Sequence, residues 1–296
     1  DGEILADVRM RISDELPATE SMVELSALLD RMLTAAGRSR AEVHRGALAL
    51  PAPVDISSGR LGSTEILPRW GGIEPAILAQ DVLGFPVSVH NDTNVGAVGE
   101  ARLGAGRGVS HFAYIWVSEG LGAGLILNDT LYAGVSGIAG ELGHTLQRAE
   151  TGALCRCGNR GCLETVVSTP AVLTLLEPQL GRLDSFDEVL KRVAAGDPLC
   201  RRVLAQTGRH IGVAVTNLVN LINPQRVIIG GELSSAGEVL LEPIRQMVSQ
   251  YAIPSAAERV EIVLSELGKR SEVLGAAKVA LTEDRMQRMN AEFVDA

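Results

Sequence analysis

Cys155-Arg156-Cys157-Gly158-Asn159-Arg160-Gly161-Cys162 puts three thiols into one short loop, and Gly140-Glu141-Leu142-Gly143-His144 sets a histidine eleven residues before the first of them. Glycines at 158 and 161 let the backbone curl so that the sulfurs can converge. Zinc takes four soft or borderline ligands in a tetrahedron, so three thiolates leave one place open. His144 is the nearest histidine, and the spacing predicts a Cys3His zinc site on His144, Cys155, Cys157 and Cys162. Free core thiols, or one disulfide with a spectator cysteine, are the competing readings. The fourth cysteine, Cys200, follows Pro198 in a helical pattern and reads as an ordinary buried thiol.

Working outward, the 296 residues suffice for one large or two medium domains with a sizeable core. Thiols clustered for a metal rather than spread as a disulfide framework predict a reducing compartment, the cytoplasm. The net charge of −9 and an aromatic content of 3% argue against nucleic-acid binding by this chain itself, which needs a basic face and stacking platforms. Apolar stretches are short and broken by glycine or charge, so no membrane span is expected, and residues 1–3 do not read as a secretory signal.

Asp1-Gly2 is a favoured hairpin pair, and Ile4, Ala6, Val8, Met10 and Ile12 alternate with polar residues, which predicts a strand over 3–12. A hairpin needs a first strand, so the natural protein is expected to continue N-terminally; an edge strand that simply begins the fold is the competing reading. Met22, Leu25, Leu28, Leu29, Met32 and Leu33 fall at helical spacing, with Gly37 as the stop. Strand patterns follow at 46–50, 87–90, 111–117, 122–127, 226–229 and 260–264. Helical patterns cover 74–83, 91–103, three segments across 170–223, and 271 onward. The elements predict an α/β protein of two lobes. The smaller lobe is expected to comprise 1–108 with 271–296. The larger is expected over 109–270, carrying the zinc loop and the helices of a dimer interface.

The motifs, in their order, resemble the ROK family of sugar-responsive repressors and sugar kinases. Glu141-Leu142-Gly143-His144 followed by Cys155-x-Cys157-Gly158-x-x-Gly161-Cys162-Leu163-Glu164 resembles the family signature. Pro51-Ala52-Pro53-Val54 resembles its Pro-Gly-Pro-Val loop, and Asn91-Asp92-Thr93-Asn94 its Asn-Asp-x-Asn helix start. Gly120-Leu121-Gly122-Ala123-Gly124, Ile228-Ile229-Gly230-Gly231 and Leu274-Gly275-Ala276-Ala277 resemble further family segments. The resemblance implies an actin-like ATPase (ribonuclease H-like) fold with a sugar between the lobes. It also implies a homodimer or higher homo-oligomer, and a monosaccharide or sugar phosphate held by Asn91, Asp92, Glu141, His144 and Glu164. A ring of hydroxyls calls for such inward-pointing carboxylates, amides and imidazoles.

Repressor and kinase are then distinguished at the phosphate loops. Kinases of the family resemble Gly-Thr-Gly-x-Gly in the second loop, where this chain has Ser118-Glu119-Gly120-Leu121-Gly122. Glu119 takes the place of a threonine that would face phosphate, and like charges repel there; turned outward, it is harmless. Glu119, Gly120, Gly122, Gly230 and Gly231 are read as a phosphate-loop remnant. The kinases' Asp-x-Gly-Gly-Thr hairpin has no counterpart in the sequence, and its place would lie before residue 1. These features favour the sugar-sensing effector domain of a transcriptional regulator, reaching DNA only through an N-terminal helix–turn–helix domain absent from this chain. The alternative is an ATP- and Mg2+-dependent sugar kinase with Asp92 as catalytic base.

Overall fold

The computed structural model describes residues 3–10, 16–55, 58–62, 66–147 and 151–294, with side chains to 289. The chain divides into two compact units. The first holds residues 1–92, 135–138 and 276–296, and the second holds 93–134 and 139–275.

In the first unit, helix α1 (Ala18–Ala35) ends where expected. Gly37 adopts φ +64°, which frees Arg38 N–H to bond Leu33 O at 2.8 Å. Strand β1 (Gly46–Leu50) is followed by α2 (Pro75–Leu83), which opens on proline and closes on left-handed Gly84. Strand β2 (Val87–Asn91) pairs parallel with β1, Gly46 opposite Val87 and Leu50 opposite Asn91. Met22, Leu50, Trp70, Ala79, Phe85, Val87 and Val89 form the buried core between helices and sheet. Arg40 ties α1 to α2, its guanidinium donating to Ser26 O at 3.0 Å and Leu83 O at 3.0 Å.

The strand expected over 3–12 is not formed among the described residues 3–10. These residues pair with no strand, and Ile4, Leu5, Val8 and Met10 stay exposed. Alternation prescribes which side chains share a face, but a strand exists only where a neighbouring edge accepts its hydrogen bonds. Ile12 lies outside the described residues.

The second unit opens with α3 (Asp92–Leu103), apart from its first residue. It continues with β3 (Phe112–Val117), β4 (Leu121–Leu127) and β5 (Thr130–Tyr132). Asn128 and Asp129, at φ 52° and 62°, make the two-residue turn between β4 and β5. The helices α4 (Glu164–Val167), α5 (Thr169–Leu180), α6 (Phe186–Ala194) and α7 (Pro198–Ile222) follow. Asp197 caps α7 by accepting from Leu199 N at 2.9 Å and Cys200 N at 3.1 Å. Strand β6 (Arg226–Gly230), α8 (Glu238–Tyr251), the short α9 (Pro254–Ala257), β7 (Glu261–Leu264) and α10 (Ser271–Val294) complete the chain. The sheet order is β5-β4-β3-β6-β7, antiparallel from β5 to β3 and parallel from β3 to β7.

Small residues let α3 pack closely within this second unit. A Cβ on Gly96 would meet the Tyr114 ring at 2.7 Å, and one on Gly99 would lie 2.4 Å from Ser271 O. The end of α3 is fastened by the fully buried Glu100 carboxylate. It accepts from Ala105 N at 2.8 Å, Ser271 Oγ at 2.9 Å, Leu267 N at 3.3 Å, and the hydroxyl of Ser265.

Candidate functional site

The segment leading to His144 is pinned to β4 by close backbone approach. Gly140 has φ +97°, and a Cβ there would fall 1.8 Å from Ala123 O, while Ala123 N bonds Gly140 O at 2.8 Å. A Cβ on Gly143 would fall 2.3 Å from Leu121 O. The cysteine loop then folds back over this segment through isolated bridges between Leu146 and Cys162 and between Leu154 and Arg160. Gly158 and Gly161, at φ +87° and +74°, supply the left-handed turns that curl it. Gly158 N bonds Cys155 O at 2.9 Å and Cys155 N bonds Asn159 O at 2.8 Å, closing the knuckle.

This folding brings His144, Cys155, Cys157 and Cys162 together, with one ligand atom from each and all four within 4.8 Å of one another. His144 Nδ1 lies 3.6 Å from Cys155 Sγ, while its Nε2 lies 3.7 Å from Glu141 Oε2. The two ring nitrogens are thus divided between the thiol cluster and a carboxylate, the arrangement that fixes the tautomer of a metal-bound histidine. Burial raises the Cys155 thiol above its ordinary range. Burial also acts on Cys157, but hydrogen bonds from the Asn159 backbone and the neighbouring cysteines outweigh it and lower that thiol. Burial first, then its two cysteine neighbours, push Cys162 up to about 12. Three thiolates so crowded resist joint ionisation without a cation among them, and a divalent metal supplies it. The donor set and spacing fit such an ion, and the cluster can hold a metal.

Glu164, eight-hundredths exposed, lies beside the cluster with Cys155 Sγ 4.0 Å from its Oε1. Arg156, between two of the cysteines, donates to both carboxylate oxygens of Glu164 at 2.8 Å, and Leu121 N–H donates to Oε2 at 3.0 Å. Sequence reasoning missed Arg156; the one available signal was a guanidinium set between two ligands. In the first unit, Asn91 closes β2 and its Nδ2 donates to Ala52 O at 3.2 Å, inside the proline loop. Asp92 opens α3, where the helix dipole favours a carboxylate.

The glycines read as a phosphate-loop remnant sit in close contact with their neighbours. A Cβ on Gly122 would meet Thr93 Oγ1 at 2.7 Å, one on Gly120 would meet Arg156 Nη2 at 2.4 Å, and one on Gly231 would meet Val117 O at 2.2 Å. Gly230 has Tyr114 as its neighbour, 2.6 Å from where its Cβ would stand. Glu119 is exposed in the turn between β3 and β4.

A glucokinase of Halalkalibacterium halodurans is 32% identical over 278 residues, covering 88% of this chain and 84% of that protein. A xylose repressor of Caldicellulosiruptor bescii is 31% identical over 249 residues, covering 80% of this chain but only 62% of the repressor. Among solved structures, a ROK family transcriptional regulator homologous to the Escherichia coli Mlc protein aligns with a TM-score of 0.80 at 29% identity, covering 93% of this chain and 72% of that one. Solved ROK sugar kinases align as well, which sets the α/β fold among those of actin-like ATPase type. The ROK family model matches residues 1–283, and the chain belongs to the ROK family.

Proposed function

We propose that this chain is the sugar-sensing effector part of a ROK transcriptional regulator. Its ligand is a monosaccharide or sugar phosphate, read by Asn91, Asp92, Glu141, His144 and Glu164. Zinc on His144, Cys155, Cys157 and Cys162 is structural: it aims the His144 ring, and a rigid imidazole and carboxylate distinguish hydroxyl orientations. The carrying observation is the turn between β3 and β4. Ser118 N bonds Gly120 O at 2.9 Å and Leu121 N bonds Glu164 at 3.0 Å, so these two amides of the turn are already committed, whereas a phosphate cradle needs free amides. Glu119, exposed in this turn, stands where the family's kinases resemble Gly-Thr-Gly with a threonine. DNA recognition belongs to an N-terminal helix–turn–helix domain outside this sequence, and the assembly is a cytoplasmic homodimer. No helix among the described residues is long and apolar enough to cross a membrane.

A kinase is the second reading, favoured by the glucokinase relative matched over most of its length. There Asp92 takes the proton of the attacking sugar hydroxyl. Calorimetric titration with glucose, xylose, N-acetylglucosamine and their phosphates, run beside a coupled ADP-release assay, separates the two. Binding without turnover supports the sensor. Turnover of about 1 s⁻¹ or more replaces it with the kinase. No binding at millimolar sugar with zinc in place defeats both.

A further inference from the structure

Arg156 sits in sequence between Cys155 and Cys157, yet its guanidinium lies on Glu164. Nε reaches Oε1 and Nη2 reaches Oε2, both at 2.8 Å, the two-bond fork that fixes a carboxylate in plane as well as in place. Glu164 passes the constraint on, since Oε2 also accepts from Leu121 N–H at 3.0 Å, at the first residue of β4. Gly120 leaves the room for this, because any Cβ there would lie 2.4 Å from Arg156 Nη2 and 2.8 Å from Glu164 Oε2.

We infer that Arg156 is a positioning residue that relays occupancy of the Cys3His cluster to Glu164 and, through Glu164, to the turn at 118–121. The inference rests on the reading that the cluster holds zinc and that Glu164 meets a sugar hydroxyl. With the two flanking cysteines anchored on a metal, the Arg156 backbone is clamped on both sides and its fork is aimed before any ligand arrives. With the metal gone, the loop keeps its turn bonds, Gly158 N to Cys155 O and Gly161 N to Ala153 O, but its thiols are no longer joined. The long arginine side chain regains its rotamers, and Glu164 keeps Leu121 N–H without its fixed counter-charge. Metal content thereby sets how well the site is formed, without the metal touching the sugar through Glu164.

The test compares wild type, R156Q and R156K, each with metal bound and after chelator treatment. Amide exchange by NMR is read at Leu121, with Ala123, whose N–H bonds Gly140 O, as the internal reference. R156Q is expected to keep about one metal per chain, to exchange Leu121 about tenfold faster or more with Ala123 unchanged, and to bind sugar about tenfold more weakly. Chelation should speed Leu121 exchange in wild type and add little in R156Q. R156K, a point charge without the fork, should fall between. Unchanged Leu121 exchange in R156Q or in metal-free wild type overturns the relay, as does R156Q binding sugar like wild type. Loss of metal from R156Q overturns its direction. If wild type binds none of the sugars, the sensor reading fails by itself, and the exchange measurements still decide the relay.

Discussion

The Sγ atoms of Cys157 and Cys162 stand 3.7 Å apart. A tetrahedral zinc with bonds of about 2.3 Å to sulfur imposes an edge of about 3.8 Å, whereas a disulfide closes to about 2.05 Å. The spacing fits ligands around a common ion and not a bonded pair.

The first prediction follows from that spacing. Purified protein should carry about one zinc per chain. With metal in place the cluster thiols should resist alkylation. After chelation Cys155, Cys157 and Cys162 should react while Cys200, fully buried, stays protected until the chain unfolds. C162S should lose the metal. All three cluster thiols titrating freely in metal-free, fully stable protein would remove zinc from the account.

Asp92 tests the sugar reading. A hydrogen bond to a charged group contributes about 1.5–3 kcal/mol, so Asp92→Ala should weaken sugar binding about ten- to a hundredfold. Asp92→Asn keeps the shape and one acceptor and should lose less. In a kinase, Asp92→Asn would instead leave affinity nearly intact and abolish turnover, because an amide cannot take the proton. Calorimetry and ADP release on both variants read the difference.

Gly275→Ala should be among the most damaging small substitutions. A Cβ at 275 would fall 1.7 Å from Val95 O and 2.9 Å from Gly99 N, backbone atoms of α3 that have nowhere to go. Overpacking of this kind costs about 3 kcal/mol or more, which lowers Tm by about 6 °C or more in a chain of this size. Unchanged thermal unfolding would show that α3 and α10 do not cross at these glycines.

His90 gives a pH dependence. Burial pushes its imidazole below the ordinary 6.5, with Glu283 pulling the other way. Its Nε2 faces Ser88 Oγ at 2.9 Å and Glu283 Oε1 at 3.5 Å, and Arg45 Nη1 shares that carboxylate at 3.3 Å. The unfolded chain binds the proton more readily than the folded one, so this contribution is present above about pH 6.5 and is lost as pH falls from there through the lower folded-state value. Unfolding free energies measured from about pH 7.5 to about pH 5.5 should decline more steeply in wild type than in His90→Gln. Equal slopes would remove His90 from the acid response.

Much of this protein was legible in its sequence because the deciding features are local. Gly37 and Gly84 end helices, the Asn128-Asp129 turn sets a hairpin, and Pro198 behind Asp197 starts a 25-residue helix, each through the backbone angles or capping bonds of a few neighbouring residues. The Cys3His cluster was legible for the same reason, since three of its four residues share one loop. What the sequence could not decide depends on which surfaces meet. Residues 3–10 have the alternation of a strand but do not form one, because strand pairing requires an edge elsewhere in the fold. Neither could the sequence show what the glycines read as a phosphate-loop remnant touch, Gly122 lying against Thr93 and Gly231 against Val117. Arg156 was missed in the sequence; folding brings it onto Glu164, 8 positions away, whose carboxylate also accepts from Leu121 N–H, 43 positions before it. Short-range chemistry determined the helices, the turns and the thiol cluster. Only tertiary packing decided what the glycines touch and which charge holds Glu164, since both depend on distances between residues that the order of the chain leaves free.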